Sequence, residues 1–580
     1  MRCKYWNYQQ LTQDEAKKAK ELSQILNNLP YPLAEILIKR GIDTYQKAEH
    51  FFKPQLDHLH DPFLMKDMEA AVERILQAIE HKEKILIYGD YDVDGTTAVS
   101  LLYWFFRPFY EQYIGFYTPD RYTEGYGISF QGIDYAQENN FSLIISLDCG
   151  ILAHEKVEYA TKKGIDFIIC DHHLPGETLP AAIAVLDPKR KDCPYPYKEL
   201  SGCGVGFKLC QALASKLNIP KEKVYNLLDF VAVSIASDLV DVTGENRVMM
   251  YYGMKLLDEN PKIGIKELMQ VARIPQEQNL NTNDLVFKIG PRINAAGRLK
   301  HAKHVIELLT AQNNPPQGLA DQINTMNENR RDLDKAITDE AISMIEKNKE
   351  IYEKRKSTVL FKEDWHKGVI GIVASKILER YYKPTILLTQ SEGKVVGSAR
   401  SVHDFDIHEA ISACRDLLLQ YGGHKYAAGL TLKKENIDAF ILKFEEVVTS
   451  TIQSHSLTPI LNIDAACKFE DLNEAKFMRI LKRMGPFGPA NMDPIFFCEK
   501  VSLYSGCEQN YRVVGNQHLQ LVLTQDNKIF FNAIAFNMGT PEVIQKLKEH
   551  KYFNIIYHFQ ENVFNNKVTH QLKIIDIEWI

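Results

Sequence analysis

The sequence predicts an α/β chain of several domains: a parallel-sheet domain, a smaller second α/β domain joined to it by a long helix, and a C-terminal β-barrel. Three observations predict it. Short, continuous apolar runs alternate with helix-type patterns between residues 84 and 188, as buried parallel strands do. A charged amphipathic stretch over about 317–354 has no Gly or Pro after Gly318. From about residue 457 the pattern turns to strand alternation, as in HLQLVLTQ and FNIIYHFQ. At 580 residues the chain also exceeds what one core organises, so roughly two to four domains are expected.

In order along the chain, residues 1–80 read as helical, with apolar spacings of three and four over 13–27 and 33–40, and are expected to pack on the first α/β domain. That domain spans 81–315. Its strands are KILIYGD, LIISLDCG, DFIICDHH and AAIAVLDP, each ending in acidic or His residues, and 206–300 is mostly helical. In open α/β sheets ligands bind beyond the carboxyl ends of the strands. Residues 316–355 read as one connecting helix, 356–455 as the second α/β domain, and 456–580 as the β domain.

The composition is 45% hydrophobic and 25% charged, as in ordinary globular proteins, with a net charge of −6. That charge speaks against a nucleic-acid coat protein but not against an enzyme with a local basic groove. No apolar run of about 18 residues exists, so no membrane association is expected, and Met1–Gln10 lacks the apolar core of a secretion signal. Ten cysteines without CxxC pairs read as free thiols, which points to a cytoplasmic protein.

The chemistry gathers in four segments. Asp90, Asp92 and Asp94 alternate just past a strand. Such charge density is costly unless a cation neutralises it, with a solvated turn as the plain alternative. A calcium-binding loop does not fit, because no Glu closes it. Asp148 ends LIISLD, where it either binds a metal or caps the next helix. Asp171, His172 and His173 end FIIC; Asp238 lies in a helical run and by itself would be a surface or capping Asp. Carboxylates mixed with imidazole suit Mn²⁺, or Mg²⁺ with more water. Two ions roughly 3.5–4 Å apart can hold a phosphodiester and activate water.

GDYDVDG (89–95), SLDCG (146–150), CDHH (170–173) and ASD (236–238) resemble the four signature motifs of the DHH phosphoesterase superfamily. Within it the chain resembles the branch of 5′→3′ single-stranded-DNA exonucleases. The further motifs are LHDPFLMKDM, PDRYTEGYG, GENR, GPRINAAGR, WHKGVIGIVASK, GSARS, GGHKYAAG and PFGPANMDP. GGHKYAAG marks a DHH-associated second domain, and PFGPANMDP resembles the join to an OB-like nucleic-acid-binding barrel.

The resemblance implies that Asp92, Asp94, Asp148, His172 and Asp238 hold two Mn²⁺ or Mg²⁺ ions, with Asp90 and His173 completing the catalytic set. It implies that Arg121, Arg292, Ser398, Arg400 and His424 hold substrate phosphates, as Arg forks do. Arg292 and Arg298 also read as structural ion pairs, and Glu245 and Arg247 as a structural pair. Tyr504, Tyr511 and Phe531 are stacking candidates beside their plainer role in the core. The implied product is a 5′-mononucleotide, in DNA repair and recombination. The implied partner is single-stranded DNA, with a helicase and a single-strand-binding protein as candidate protein partners and a monomer as the default state. A shorter-substrate phosphodiesterase for oligonucleotides or cyclic dinucleotides and a non-catalytic repair scaffold are the competing readings. Four positions depart from the pattern: Tyr88 for His, Asp187 for Asn, SIASDLVDV for the commoner segment, and Ala490 for Gly.

Overall fold

The computed structural model describes residues 4–275, 280–299, 302–313, 315–515, 517–564 and 567–580. A short strand, β1 (Tyr5–Tyr8), and helices Gln13–Ile25, Tyr31–Lys39, Tyr45–Phe52 and Met68–His81 precede the first α/β unit. That unit holds β2 (Lys84–Gly89), β3 (Ile114–Tyr117), β4 (Phe141–Leu147), β5 (Asp166–Cys170) and β6 (Ala184–Leu186). They form one parallel sheet in the order β3-β2-β4-β5-β6. Successive side chains of β2 face opposite ways: Ile85 and Ile87 enter one core, Leu86 and Tyr88 another. Both faces are therefore covered, which is why the runs are continuously apolar.

The second α/β domain holds β7 (Thr358–Phe361), β8 (Thr385–Ser391), β9 (Lys394–Arg400), β10 (Leu418–His424) and β11 (Ala427–Leu432), in the order β10-β11-β9-β8-β7. Helix Leu319–Lys347 joins the two domains and belongs to both. Leu319, Ile323 and Met326 lie in the first core, and Ile337, Ala341 and Ile345 pack with Leu360, Trp365 and Leu387 of the second. Its 29 residues make a strut about 44 Å long. The single helix expected over 316–355 stops at Asn348, and a short helix, Lys349–Lys354, follows.

The remaining strands are β12 (Ile460–Ile463), β13 (Ala465–Ala466), β14 (Phe496–Leu503), β15 (Tyr511–Val514), β16 (His518–Thr524), β17 (Phe530–Ala535), β18 (Phe553–Phe564) and β19 (Lys567–Trp579). Their ladder runs β13-β14-β18-β19-β17-β16-β15. It also returns from β16 to β14 through Ser502–Thr524 and Leu503–Leu523.

The N-terminal segment corrects the expectation. Its last part, from about Leu56 to Ile79, packs on the first α/β core. Residues Ala19, Leu22, Leu33, Ile36 and Leu37 share a core with Phe477, Phe496, Leu519 and Phe553 of the C-terminal domain. β1 pairs in parallel with β12, Tyr5 with Ile460 through Tyr8 with Ile463. An apolar stripe says that a helix face is buried, not which surface covers it.

Arg247 fastens this composite body to the first domain. Its guanidinium donates to the carbonyls of Phe51, Met484, Gly485 and Pro486, and stacks on the Phe51 ring at 3.8 Å. It is not paired with Glu245, whose carboxylate instead meets Lys208 at 2.6 Å, both side chains fully buried, and accepts from Tyr195. Ala490, in the same joint, has φ +57°, the left-handed conformation that explains Gly as the usual residue there.

Arg247→Met strands several desolvated carbonyls, so it is expected to lower stability by about 3 kcal/mol. Urea denaturation checks the loss. Limited proteolysis should show earlier cleavage between the two bodies, and an unchanged digestion pattern would remove Arg247 from this role.

Candidate metal centre

The strand ends bring the predicted carboxylates together. β2 ends at Gly89, and helix Val93–Tyr110 begins four residues on, with Asp92 as its N-cap, accepting from the Gly95 amide at 3.0 Å. So tight a turn requires glycine at 95, because a Cβ there would lie 2.4 Å from the Asp90 carbonyl oxygen. Asp94 points back to the start of helix Gly202–Lys216, where its oxygens accept from the amides of Gly202 and Cys203, both at 2.7 Å, and from Ser234 Oγ at 2.8 Å. Helix N-terminal amides suit a fixed anion. Gly202 is equally constrained: a Cβ would meet Asp148 at 2.6 Å.

Asp148 does not cap a helix. It stands at φ +59° after β4, and its Oδ1 lies 3.1 Å from His172 Nε2. The same nitrogen lies 3.5 Å from Asp238 Oδ2 and 3.7 Å from Asp94 Oδ2. Two ligand triads result, Asp94–His172–Asp238 and Asp148–His172–His173, each with its ligand atoms within 4.8 Å of one another. Both centre on His172 Nε2, a nitrogen that can bind one ion, with several carboxylate oxygens close by that could serve a second.

The electrostatics show what this convergence costs without a cation. Burial, then the Asp92 charge, pushes Asp90 up to about 7. Burial, then Asp94 and Asp92, pushes Asp238 up to about 8. Burial and the same neighbours hold Asp148 well above the carboxylate range, and burial with Asp94 raises Asp92. Burial holds His172 below its ordinary value, so it offers a neutral nitrogen. His172 Nδ1 is buried without a hydrogen-bond partner. Carboxylates forced to share protons around a neutral imidazole fit a hard divalent cation.

Sequence reasoning gave Asp171 no role of its own. It accepts from the amides of Ile151 and His172, and holds His173 Nδ1 at 2.7 Å. Burial works against its charge, but the bond and charge of His173, the Ile151 amide and the charge of His172 together outweigh it and keep Asp171 low. Correspondingly, burial depresses His173 but the Asp171 bond and charge lift it to about 9. His173 Nε2 meets Tyr126 Oη at 3.3 Å, from the loop after β3. Tyr88, one of the departures, is fully buried below that loop, donating to the Gly127 carbonyl and accepting from the Ser129 amide. Glu124 ties the same loop by accepting from the Asp120 amide and from Tyr117 and Ser129 hydroxyls. Asp187 is buried, with one oxygen bonded to the Lys189 amide and the other without a hydrogen-bond partner.

The phosphate candidates divide. Arg292 is not with the others: its nitrogens bond Asn324 and the carbonyls of Lys288 and Val271. Arg298, on the same helix, Gly290–Leu299, lies instead among other arginines. Burial brings Arg298 down to about 10, and the charges of Arg121, Arg330 and Arg400 push the same way, which places four guanidinium groups around one region. Arg121 lies over the Tyr91 ring at 5.1 Å, beside the Asp90 turn. Arg298 reaches across to the Gly368 carbonyl of the second domain at 3.0 Å, and Tyr122 donates to the Arg298 carbonyl. Arg400 donates to Ser398 Oγ at 3.1 Å. His424 pairs with Ala427 and Ala427 with Arg400, so all three share one row of the sheet. On the C-terminal β domain, Tyr511, Arg512, Gln520, Asn532, Lys567 and Gln571 line a cleft of about 610 Å³, while Phe531 is in the core and Tyr504 stacks on Phe530 at 4.5 Å.

A parallel sheet carrying acidic and His ligands at its carboxyl ends, faced by a second domain with Ser and Arg, defines a DHH phosphoesterase. The DHH family N-terminal domain matches residues 84–235, the DHHA1 domain 354–450, and the RecJ OB domain 463–576. The chain is 36% identical to the single-stranded-DNA-specific exonuclease RecJ of Bacillus subtilis strain 168, over 99% of this chain and 71% of the relative. It is 31% identical to RecJ of Escherichia coli K12, over 90% of this chain and 92% of the relative. The crystal structure of RecJ with Mn²⁺ from Thermus thermophilus shares the fold, with a TM-score of 0.82 at 23% identity, over 99% of this chain and 79% of that one. The chain belongs to the RecJ family.

Carboxyls held high in the folded protein bind more protons than they do unfolded. In EDTA, stability is therefore expected to fall as pH rises from about 4 towards the value of about 8 at Asp238. Mn²⁺ displaces those protons, so its increment to Tm should grow across the same window. Thermal melts from pH 5 to 8.5 test this; an increment that ignores pH would count against these ligands.

Proposed function

We infer that this chain is a divalent-metal-dependent exonuclease specific for single-stranded DNA, acting 5′→3′ and releasing 5′-mononucleotides in DNA repair and recombination. The observation that carries the reading is His172 Nε2 within 3.7 Å of Asp94, Asp148 and Asp238, with Arg121 close enough to act on the neighbouring Asp90 and grouped with Arg298 and with Arg400 of the second domain. The relatives it matches over nearly its whole length are single-stranded-DNA-specific exonucleases by name.

Asp92, Asp94, Asp148, His172 and Asp238 would hold two Mn²⁺ or Mg²⁺ ions, which when bound lend Lewis acidity to the phosphoryl oxygens and activate water. Asp94 is kept in place by the helix amides at Gly202 and Cys203. His173, steadied by Asp171, stands beside the ligands as a charged donor for a phosphate oxygen. Arg121, Arg298, Ser398 and Arg400 take the 5′-terminal phosphate, with His424 in the same row as Arg400. A terminal phosphate held at a fixed distance from the metals sets both the polarity and the one-nucleotide step. The barrel cleft, with Tyr511, Arg512 and Lys567, grips the strand behind it. In this reading the enzyme works as a cytoplasmic monomer, on strands opened by a helicase and covered by a single-strand-binding protein.

The test is digestion of a long single strand labelled at either end, with Mn²⁺ or EDTA, beside a duplex and a dinucleotide. Metal-dependent mononucleotide release from the 5′ end of the single strand is expected. Cleavage of the dinucleotide alone would place the chain with the short-substrate phosphodiesterases. Asp148→Ala should abolish cleavage while strand binding persists.

Arg298→Ala should lower kcat/KM on 5′-phosphorylated strands about 10- to 100-fold and abolish the preference for a 5′-phosphate over a 5′-hydroxyl. Arg292→Ala should leave that preference intact. The reverse outcome would return the grip to Arg292.

A further inference from the structure

We propose that three exposed leucines, Leu152, Leu174 and Leu239, form an apolar rim on the metal centre that receives the sugars flanking the scissile phosphate and selects deoxyribose over ribose. The inference rests on the nuclease reading above and names the determinants of its sugar specificity.

The three come from three separate loops, each attached to a ligand. Leu174 follows His173, Leu239 follows Asp238, and Leu152 lies four residues past Asp148. They are 72%, 60% and 62% exposed. A Cβ placed on Gly176 would lie 3.1 Å from Leu152 Cδ2, so the loop carrying Leu174 runs against Leu152. His172 joins the third, since it contacts both Asp148 and Asp238. A single exposed leucine needs no explanation, but three around one charged site do.

Leu239 is the most informative. It ends helix Leu228–Asp238 at φ +58° and ψ +33°, a left-handed position where Gly or Asn is the easier residue. Its side chain does not serve the core, which is reached instead by Val242. A large apolar side chain kept in a strained conformation and presented to solvent beside a metal ligand points to use.

Covalent geometry supplies the occupant. A phosphate bound at the ligands carries a sugar on either side, one ester oxygen away, and those rings meet whatever borders the ligands. The C2′ methylene of deoxyribose is compatible with leucine. A ribose 2′-hydroxyl placed there would lose its water and gain no acceptor, a penalty of about tenfold to a hundredfold.

The experiment compares 5′-phosphorylated DNA and RNA strands of one sequence, and DNA bearing one 5′-terminal ribonucleotide. It reads kcat/KM with Mn²⁺ and Kd in EDTA. The unmodified chain should favour DNA by about 10- to 100-fold. In Leu239→Asn, whose new residue suits the left-handed turn, and in Leu174→Gln, the DNA-to-RNA ratio should fall at least about threefold, with the Mn²⁺ increment to Tm retained as proof of an intact site. Equal cleavage of both strands by the unmodified chain, or an unmoved ratio in the folded variants, overturns the inference while the nuclease reading stands. No DNA cleavage by the unmodified chain overturns both.

Discussion

Mutual repulsion among buried carboxylates is the constraint on which the rest of the structure depends. Asp90, Asp92, Asp148 and Asp238 meet around Asp94 at the carboxyl ends of β2 and β4 and the end of one helix, and burial and neighbouring carboxylate charge disfavour ionisation of those four. Such a cluster persists only if the surrounding backbone fixes it and a cation completes it. The chain does the first with amides at the start of a helix for Asp94, an N-cap for Asp92, and glycines at 95 and 202 that let backbone and carboxylate approach.

The same centre accounts for the loop after β3. Tyr88 and Glu124 pin it from below and from within, so that one segment delivers Arg121 to the basic region, Tyr122 to the domain boundary and Tyr126 to His173. One segment thereby touches the acidic cluster, the arginine group and the boundary with the second domain. The strut Leu319–Lys347 has the matching role at larger scale: buried in both cores, it fixes the distance between the two walls of the cleft.

The N-terminal helices and the C-terminal barrel form a second body. It is held together by a shared core and by the β1–β12 pairing, and fastened to the first through Arg247. The ends of the chain therefore stabilise one another. Arg247 has no carboxylate among the partners given by its hydrogen bonds; a run of carbonyls satisfies it, which is directional enough to lock the joint.

The sequence by itself determined the elements and where acidic and His side chains would gather. Strands buried on both faces must be continuously apolar, as KILIYG and LIISL are, and acidic or His residues at their ends must gather where the strands finish. The DHH triplet and the alternating aspartates were legible as chemistry for that reason, whereas Asp238, at the end of a helix, stood out only through the resemblance. Tertiary structure alone decided which surfaces the amphipathic helices covered, because a stripe encodes burial and not its partner. It also decided between Arg292 and Arg298. Six residues apart, they point about 120° away from each other around one helix, so that Arg292 meets Asn324 on one side and Arg298 meets Gly368 and the neighbouring Arg121 on the other.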